Sequence, residues 1–212
     1  GKRVLVDCGL FQGYKELRDR NRKPFPVPAD TIDAVLLTHA HLDHSGYLPG
    51  LVRDGFRGPI ISSLGTAELC SLLLPDSAHL LEEEAERAKR KKYSKHNNPT
   101  PLYTEEDAER ALAQFRTVEF GEVVDVVPGL KATFSHAGHI LGASQLHVET
   151  AGRTLHFTGD LGRVDDILMN GPAPYEGSDI LVDLDIAGQL FNWRGHGVSP
   201  VRWHECNSSW TW

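Results

Sequence analysis

The stretch from Leu36 to Gly46 reads LLTHAHLDHSG and places three histidines and one aspartate between positions 39 and 44. It follows the largely apolar run Ile32 to Leu37, whose length suits a buried strand. A strand ending in a cluster of ligand-type side chains constrains the fold strongly, because reactive loops are carried by rigid scaffolds. In an extended loop, side chains two residues apart point the same way, so His39 and His41 can converge on one ion. Asp43 and His44 come where the chain turns into a helix, and their directions diverge from the first pair. One short loop can therefore feed two adjacent metals. Imidazole and carboxylate ligands suit zinc, with manganese or iron as alternatives. The plainer reading is a polar turn with surface histidines, but the density of the HxHxDH pattern disfavours it.

Short β-rich runs alternate with helical patterns elsewhere, which places the chain in the α/β or α+β class. Val4 to Asp7 reads as a strand ended by Cys8-Gly9, and the proline-rich segment 21–30 reads as irregular. Gly46 to Asp54 looks helical, and Ile60-Ile61 forms a short strand. Thr66 is expected to cap a helix that Pro75 separates from a second helical run. Thr104 and Asp107 spell a capping box ahead of another helix. From Val118 to Thr158 the pattern turns strand-rich, with turns at Pro128-Gly129 and Ala151-Gly152.

Three further positions suit the same site. His139 lies in a Gly-containing loop between strands, and Asp160 ends a strand in FTGDLG, where it could bridge two ions. Asp7 also ends a strand and could hold a ligand histidine in the right tautomer. A lone strand-end aspartate is more often a turn former, so each is weak alone. His136, three residues before His139, is a candidate catalytic group, with an ordinary loop histidine as the plainer reading.

In order and context, Asp7, the HxHxDH loop, His139 and Asp160 resemble the first four motifs of the metallo-β-lactamase superfamily. VLVDCGLFQG, LLTHAHLDHSGYLPGL, YSKHNNPTPLYTEEDAERAL and HAGHILGAS resemble its β-CASP branch, which holds RNase J-like enzymes and the endonuclease of mRNA 3′-end processing. The likeness covers residues 1 to 182. It implies the αββα sandwich of that superfamily and a centre of two Zn2+ ions. His39, His41 and His139 would bind one zinc, Asp43 and His44 the other, and Asp160 would bridge them. The implied activity is cleavage of RNA phosphodiester bonds by a hydroxide activated by the two metals, with Asp43 also orienting the attacking water. RNA is the implied partner, and a homodimer is an open assembly. The alternatives are a glyoxalase II-like thioesterase of the same fold and a catalytically inactive metal-binding fragment.

The chain departs from that pattern at both ends. It opens without a Met directly on a strand, so the family's first strands are expected to precede Gly1. Leu184 stands where β-CASP members carry a glutamate, and the β-CASP cassette and later motif histidines are absent. The expected division is a superfamily portion over 1–183 and an atypical tail over 184–212, either read out of frame or disordered. His196 and His204 lie in that tail and match no motif. An incomplete sandwich is expected to leave one sheet without its partner.

Bulk properties narrow the setting. A net charge of −7 over 212 residues means that a polyanionic substrate must be met by a local basic patch or bound cations. Arg87, Lys89, Arg90, Lys91, Lys92 and Lys95 form one candidate patch, although acids early and bases late on a helix also suit a solvated face. Tyr93 and Tyr103 could stack bases but are usually packing. No apolar run approaches the roughly 20 residues of a membrane helix, so no membrane partner is expected. Cys8, Cys70 and Cys206 are widely spaced, which suits a reducing cytoplasm.

Overall fold

The computed structural model describes residues 1–91 and 99–183, with the backbone of 189–193 and 204–205. In chain order the elements are β1 (Lys2–Val6), α1 (Lys15–Arg18), β2 (Ala34–Leu36), α2 (Leu42–Ser45), α3 (Leu48–Arg53), β3 (Ile60–Ser63), α4 (Leu64–Lys91) and α5 (Glu105–Leu112). They continue with β4 (Phe115–Val118), β5 (Val123–Val127), β6 (Leu130–His136), β7 (Ser144–Thr150), β8 (Arg153–Phe157), β9 (Ile180–Val182), β10 (Gln189–Trp193) and β11 (His204–Glu205).

Two sheets result. One has the order β11-β10-β1-β2-β3-β4, with β1 to β4 mutually parallel; the other runs β5-β6-β7-β8-β9 and is mainly antiparallel. Within the first sheet, the neighbouring strands β1, β2 and β3 bury apolar residues on both faces, as a sheet covered on both sides requires. Leu5, Val35 and Ile60 point to the helices α3, α4 and α5, in a core with Leu48, Leu51, Leu74, Ala78 and Ala108. Their neighbours Val4, Val6, Ala34, Leu36 and Ile61 point the other way, onto Val124, Leu130, Ala132, Phe134, Leu146, Val148, Leu155 and Phe157 of the second sheet. Each fully buried aliphatic or aromatic side chain contributes roughly 1.5–3 kcal/mol. The expectation of a sheet without its partner is therefore corrected: enough alternating apolar residues lie on β5 to β8 to cover the inner face.

The helical expectations need two further corrections. The helix α4 runs unbroken through Pro75. A mid-helix proline costs about 3 kcal/mol, but Cys70, Leu74 and Ala78, four residues apart, keep one buried stripe continuous across it. The cap is Ser63 rather than Thr66, since the Ser63 hydroxyl accepts from the Thr66 amide at 3.2 Å. The segment 21–30 is not wholly irregular, because 3-10 turns occupy Asp19–Arg22 and Ala29–Thr31.

The capping box is present: the Thr104 hydroxyl accepts from the Asp107 amide at 3.2 Å, and the Asp107 carboxylate accepts from the Thr104 amide at 3.0 Å. In the tail, expected to be atypical, the backbone of β10 pairs antiparallel with β1. Leu184 and His196 lie outside the described residues, as do the side chains throughout the tail, His204 included. Lys92, Tyr93 and Lys95 are also outside them. Arg87, Lys89, Arg90 and Lys91 are exposed while Ala85 and Ala88 are buried, the pattern of a solvated helix face. Tyr103 is packing: it is buried and its hydroxyl lies 2.9 Å from that of Ser77. Among the described residues no helix is long and apolar enough to cross a membrane.

Candidate metal centre

Strand directions explain why distant residues meet. The adjacent, parallel β1 and β2 end side by side, delivering Asp7 and the loop Thr38–His41 to the same edge. On the second sheet, β6 and β8 both run antiparallel to β7, so they run in the same direction. The loop after β6 carries His139, and the loop after β8 carries Asp160. These loops are bonded together: the Ser144 amide donates to Thr38 O at 2.9 Å, and the Gly162 amide to Ala137 O at 2.8 Å. Close approach is obligatory at Gly162, where a Cβ would stand 1.7 Å from the carbonyl oxygen of Gly138. Glycine is needed there for space.

Four side chains converge. One ligand atom from each of His39, His41, His139 and Asp160 lies within 4.8 Å of the other three. His39 Nε2 is 3.1 Å from His41 Nδ1, which is 3.2 Å from His139 Nε2. Asp160 Oδ2 is 3.6 Å from His39 Nε2 and 3.4 Å from His139 Nε2. A tetrahedral ion with bonds of about 2.0–2.1 Å holds its ligand atoms about 3.3–3.4 Å apart. These four separations bracket that value and the remaining two pairs lie within 4.8 Å, so the four donors can surround one cation.

The other oxygen of Asp160 turns elsewhere. Oδ1 lies 3.2 Å from His44 Nε2, and both atoms are buried without a hydrogen-bond partner. Such a pair is costly unless something charged completes it. The two oxygens of Asp160 thus face two different histidine groups. Asp43, half-buried on the first turn of α2, is outside the four-residue group, but its negative charge acts on His139.

Asp7 organises the cluster from behind. It is fully buried, at a φ of 58°, a left-handed conformation that Asp tolerates better than most residues. Its carboxylate accepts from the Thr38 amide and hydroxyl, each at 2.7 Å, and from His44 Nδ1 at 2.7 Å. The Thr38 hydroxyl has one proton and gives it to Asp7, so at 3.0 Å from His39 Nδ1 it must accept. In both histidines the Nδ1 proton is held by these bonds, which turns Nε2 toward the centre as the atom a cation would take. Thr38 was not picked out from the sequence; a hydroxyl beside the first histidine was its only signal.

Titration follows from burial and neighbours. Burial, then the charges of His44, His41 and His139, push the His39 imidazole down to about 2, against the pull of Asp160. Burial also opposes protonation of His44, but Asp7 and Asp160 overcome it and raise the group to about 10, so a cation at Nε2 has to displace a proton that faces Asp160 Oδ1. Burial lowers His139. It would raise Asp160, yet His44 and the other histidines hold that carboxyl below its usual range.

His136 does not join the group. It is exposed at the end of β6, with its ring 3.9 Å from that of Phe120. Its carbonyl oxygen instead anchors a neighbouring segment, accepting from the Ala173 amide at 2.8 Å and from Gln145 Nε2 at 3.0 Å.

The sequence profile of the metallo-beta-lactamase superfamily matches residues 1–194. The chain belongs to that superfamily. Similar curated members include Ribonuclease TTHA0252 of Thermus thermophilus, 38% identical over 92% of this chain. Transcription termination factor FttA of Methanothermobacter thermautotrophicus is 35% identical over 74% of it. Cleavage and polyadenylation specificity factor 73 of Drosophila melanogaster is 32% identical over 86%. The superfamily members so matched are longer, and this chain spans 40%, 23% and 25% of them respectively. Their names are those of a ribonuclease, a transcription termination factor and a cleavage and polyadenylation factor, in keeping with the β-CASP branch that the motifs resemble.

Proposed function

We propose that this domain is the metal-binding catalytic part of a zinc-dependent hydrolase of the β-CASP type, cleaving RNA phosphodiester bonds. The observation that carries the reading is the group His39, His41, His139 and Asp160, whose ligand atoms all lie close enough to share one ion. Relatives whose names include a ribonuclease support the substrate class.

His39, His41, His139 and Asp160 Oδ2 would hold one cation. His44 Nε2, Asp160 Oδ1 and Asp43 would hold a second. Three imidazoles with a carboxylate suit zinc, with manganese or iron as substitutes. Two bound cations supply Lewis acidity, an activated water and a clamp on the phosphoryl oxygens. The chain's own residues then have defined tasks. Asp7 and Thr38 hold the Nδ1 protons of His44 and His39 and so aim their Nε2 atoms at the centre. Asp160 holds the two halves of the centre in register. Asp43, half-buried beside the centre, orients the attacking water and accepts its proton. Cys8 and Cys70 are buried and in no disulfide, which suits the cytoplasm.

The test offers the full chain a single-stranded oligoribonucleotide and, separately, a glutathione thioester, with zinc or manganese. RNA cleavage that is abolished by chelation and by His39→Ala is the expected result. Thioester turnover without RNA cleavage would assign the site to another hydrolase of the superfamily. Metal binding with neither turnover would make the chain a non-catalytic metal-binding fragment.

A further inference from the structure

The segment between Phe11 and Lys23 is ordered in an unusual way. The one-turn helix α1 and the 3-10 turn Asp19–Arg22 after it bury no residue. The apolar core therefore does not fix this segment. It is closed instead by a polar clamp. Asn21 accepts from the Phe11 amide at 2.8 Å and donates through Nδ2 to the Phe11 carbonyl at 2.9 Å. The Arg20 guanidinium lies 5.5 Å over the Phe11 ring and braces the same closure.

The base of this loop is fastened to the metal loop. The Cys8 amide donates to His44 O at 2.6 Å, and the Leu10 amide to Leu42 O at 2.8 Å. Gly9 lies so close that a Cβ there would stand 1.5 Å from the carbonyl oxygen of Asp43. A residue of extended chain covers at most about 3.6 Å. The tip residue Tyr14, five positions from Gly9, therefore stands within roughly 18 Å of Gly9, which itself abuts the Asp43 backbone.

What the loop presents is an aromatic ring among cations. Tyr14 is 81% exposed, yet its backbone is pinned, because its carbonyl oxygen accepts from the amides of Leu17 and Arg18, both at 3.1 Å. Residues 15–23 carry five cations, Lys15, Arg18, Arg20, Arg22 and Lys23, against Glu16 and Asp19, in a chain of net charge −7. Lys15 pairs with Asp19 and Arg22 reaches Thr100 O at 3.0 Å. Arg18 and Lys23 are exposed and in no ion pair among the described residues. A solvated surface loop accounts for the charges. It does not account for a fully presented tyrosine on a clamped, core-free loop beside the centre.

We propose that the loop Gln12–Lys23 is a platform for single-stranded RNA, with a base stacked on Tyr14 and flanking phosphates met by Arg18, Arg22 and Lys23. This deepens the RNA reading of the neighbouring site and rests on it. Aromatic faces accept any base, and a tyrosine of fixed backbone loses little freedom on stacking. The platform grips the strand a short way from the bond to be cut, leaving the centre itself free of base contacts.

The test measures affinity of the full chain for a fluorescent oligoribonucleotide by anisotropy, across a salt series. Beside it, turnover of bis(p-nitrophenyl) phosphate is followed as a small phosphodiester. Tyr14→Ala should weaken RNA binding about 5- to 100-fold, while Tyr14→Phe stays near the parent. Arg18→Ala with Lys23→Ala should flatten the dependence of log affinity on log salt by about 1 to 1.5. Small-substrate turnover should be unchanged in every variant. RNA binding by Tyr14→Ala equal to that of a parent that binds RNA would overturn the platform and leave the RNA reading standing. A parent that neither binds nor cleaves RNA would overturn both.

Discussion

Asp7 Oδ2 accepts the Nδ1 proton of His44 at 2.7 Å, and this contact decides which face of the imidazole is left for the centre. Replacing Asp7 by Asn keeps shape and the left-handed φ but puts an amide N–H where a carboxylate oxygen stood. Facing that donor, His44 must carry its proton on Nε2 and lose the free lone pair. Asp7→Asn should lower metal affinity by about 10- to 100-fold, read by competition with a chromophoric chelator. Urea unfolding of the same protein should shift far less than the affinity does. An unchanged affinity would remove Asp7 from the control of the centre.

Gly162→Ala tests the close approach of the two loops. Its Cβ would fall 1.7 Å from Gly138 O, with backbone rather than a flexible side chain in the way. The loops carrying His139 and Asp160 must then part. A stability loss of about 1–3 kcal/mol is expected in urea unfolding, together with weakened metal binding. Parent-like values in both measurements would contradict the packing described.

The cap of α5 gives a simpler stability test away from the centre. Thr104→Ala removes the hydroxyl that receives the Asp107 amide. The expected loss is about 1 kcal/mol, with metal content unchanged. A loss below a few tenths would mean that the capping box does not hold this helix.

His156 supplies a pH dependence. It is buried on β8, donates through Nε2 to Gln145 Oε1 at 2.9 Å, and burial followed by the charge of His147 lowers its pKa below the ordinary 6.5. Above pH 6.5 the group is neutral whether the chain is folded or not. As the pH falls below that value, the unfolded chain takes a proton that the folded one refuses, so stability is lost. The slope from this residue is at most about 1.4 kcal/mol per pH unit. His156→Gln keeps a donor for Gln145 and should remove that part of the slope. Because the other histidines are common to both proteins, the difference between their unfolding curves at pH 5 to 7 isolates it. Identical slopes would contradict the assignment.

The candidate centre was legible because histidines and carboxylates are chemically rare in such density and sit at strand ends. His39, His41, His139 and Asp160 could be picked out without knowing how two sheets bring their loops together. Thr38 and Gln145 could not, since a hydroxyl or an amide in a strand-end sequence is ordinary, and its task appears only when its partners are placed. His136 shows the reverse error of proximity in sequence: three residues from His139, it turns onto Phe120 instead. Local rules failed where tertiary packing outweighed them. Pro75 should end a helix, but the buried stripe of Cys70, Leu74 and Ala78 carries α4 past it. The second sheet was underestimated because its strands alternate, and the apolar half of each is obvious only once a partner face exists.

Whether His39, His41, His139 and Asp160 hold a metal ion is tested most directly by metal content per chain, from elemental analysis of dialysed protein with His39→Ala measured beside it. At least one tightly held ion in the parent, approaching two if the His44 side of Asp160 also fills, is the expected result, with a clear fall in the variant. A parent that holds no metal after exposure to zinc and manganese, or a variant that holds as much as the parent, would contradict the account.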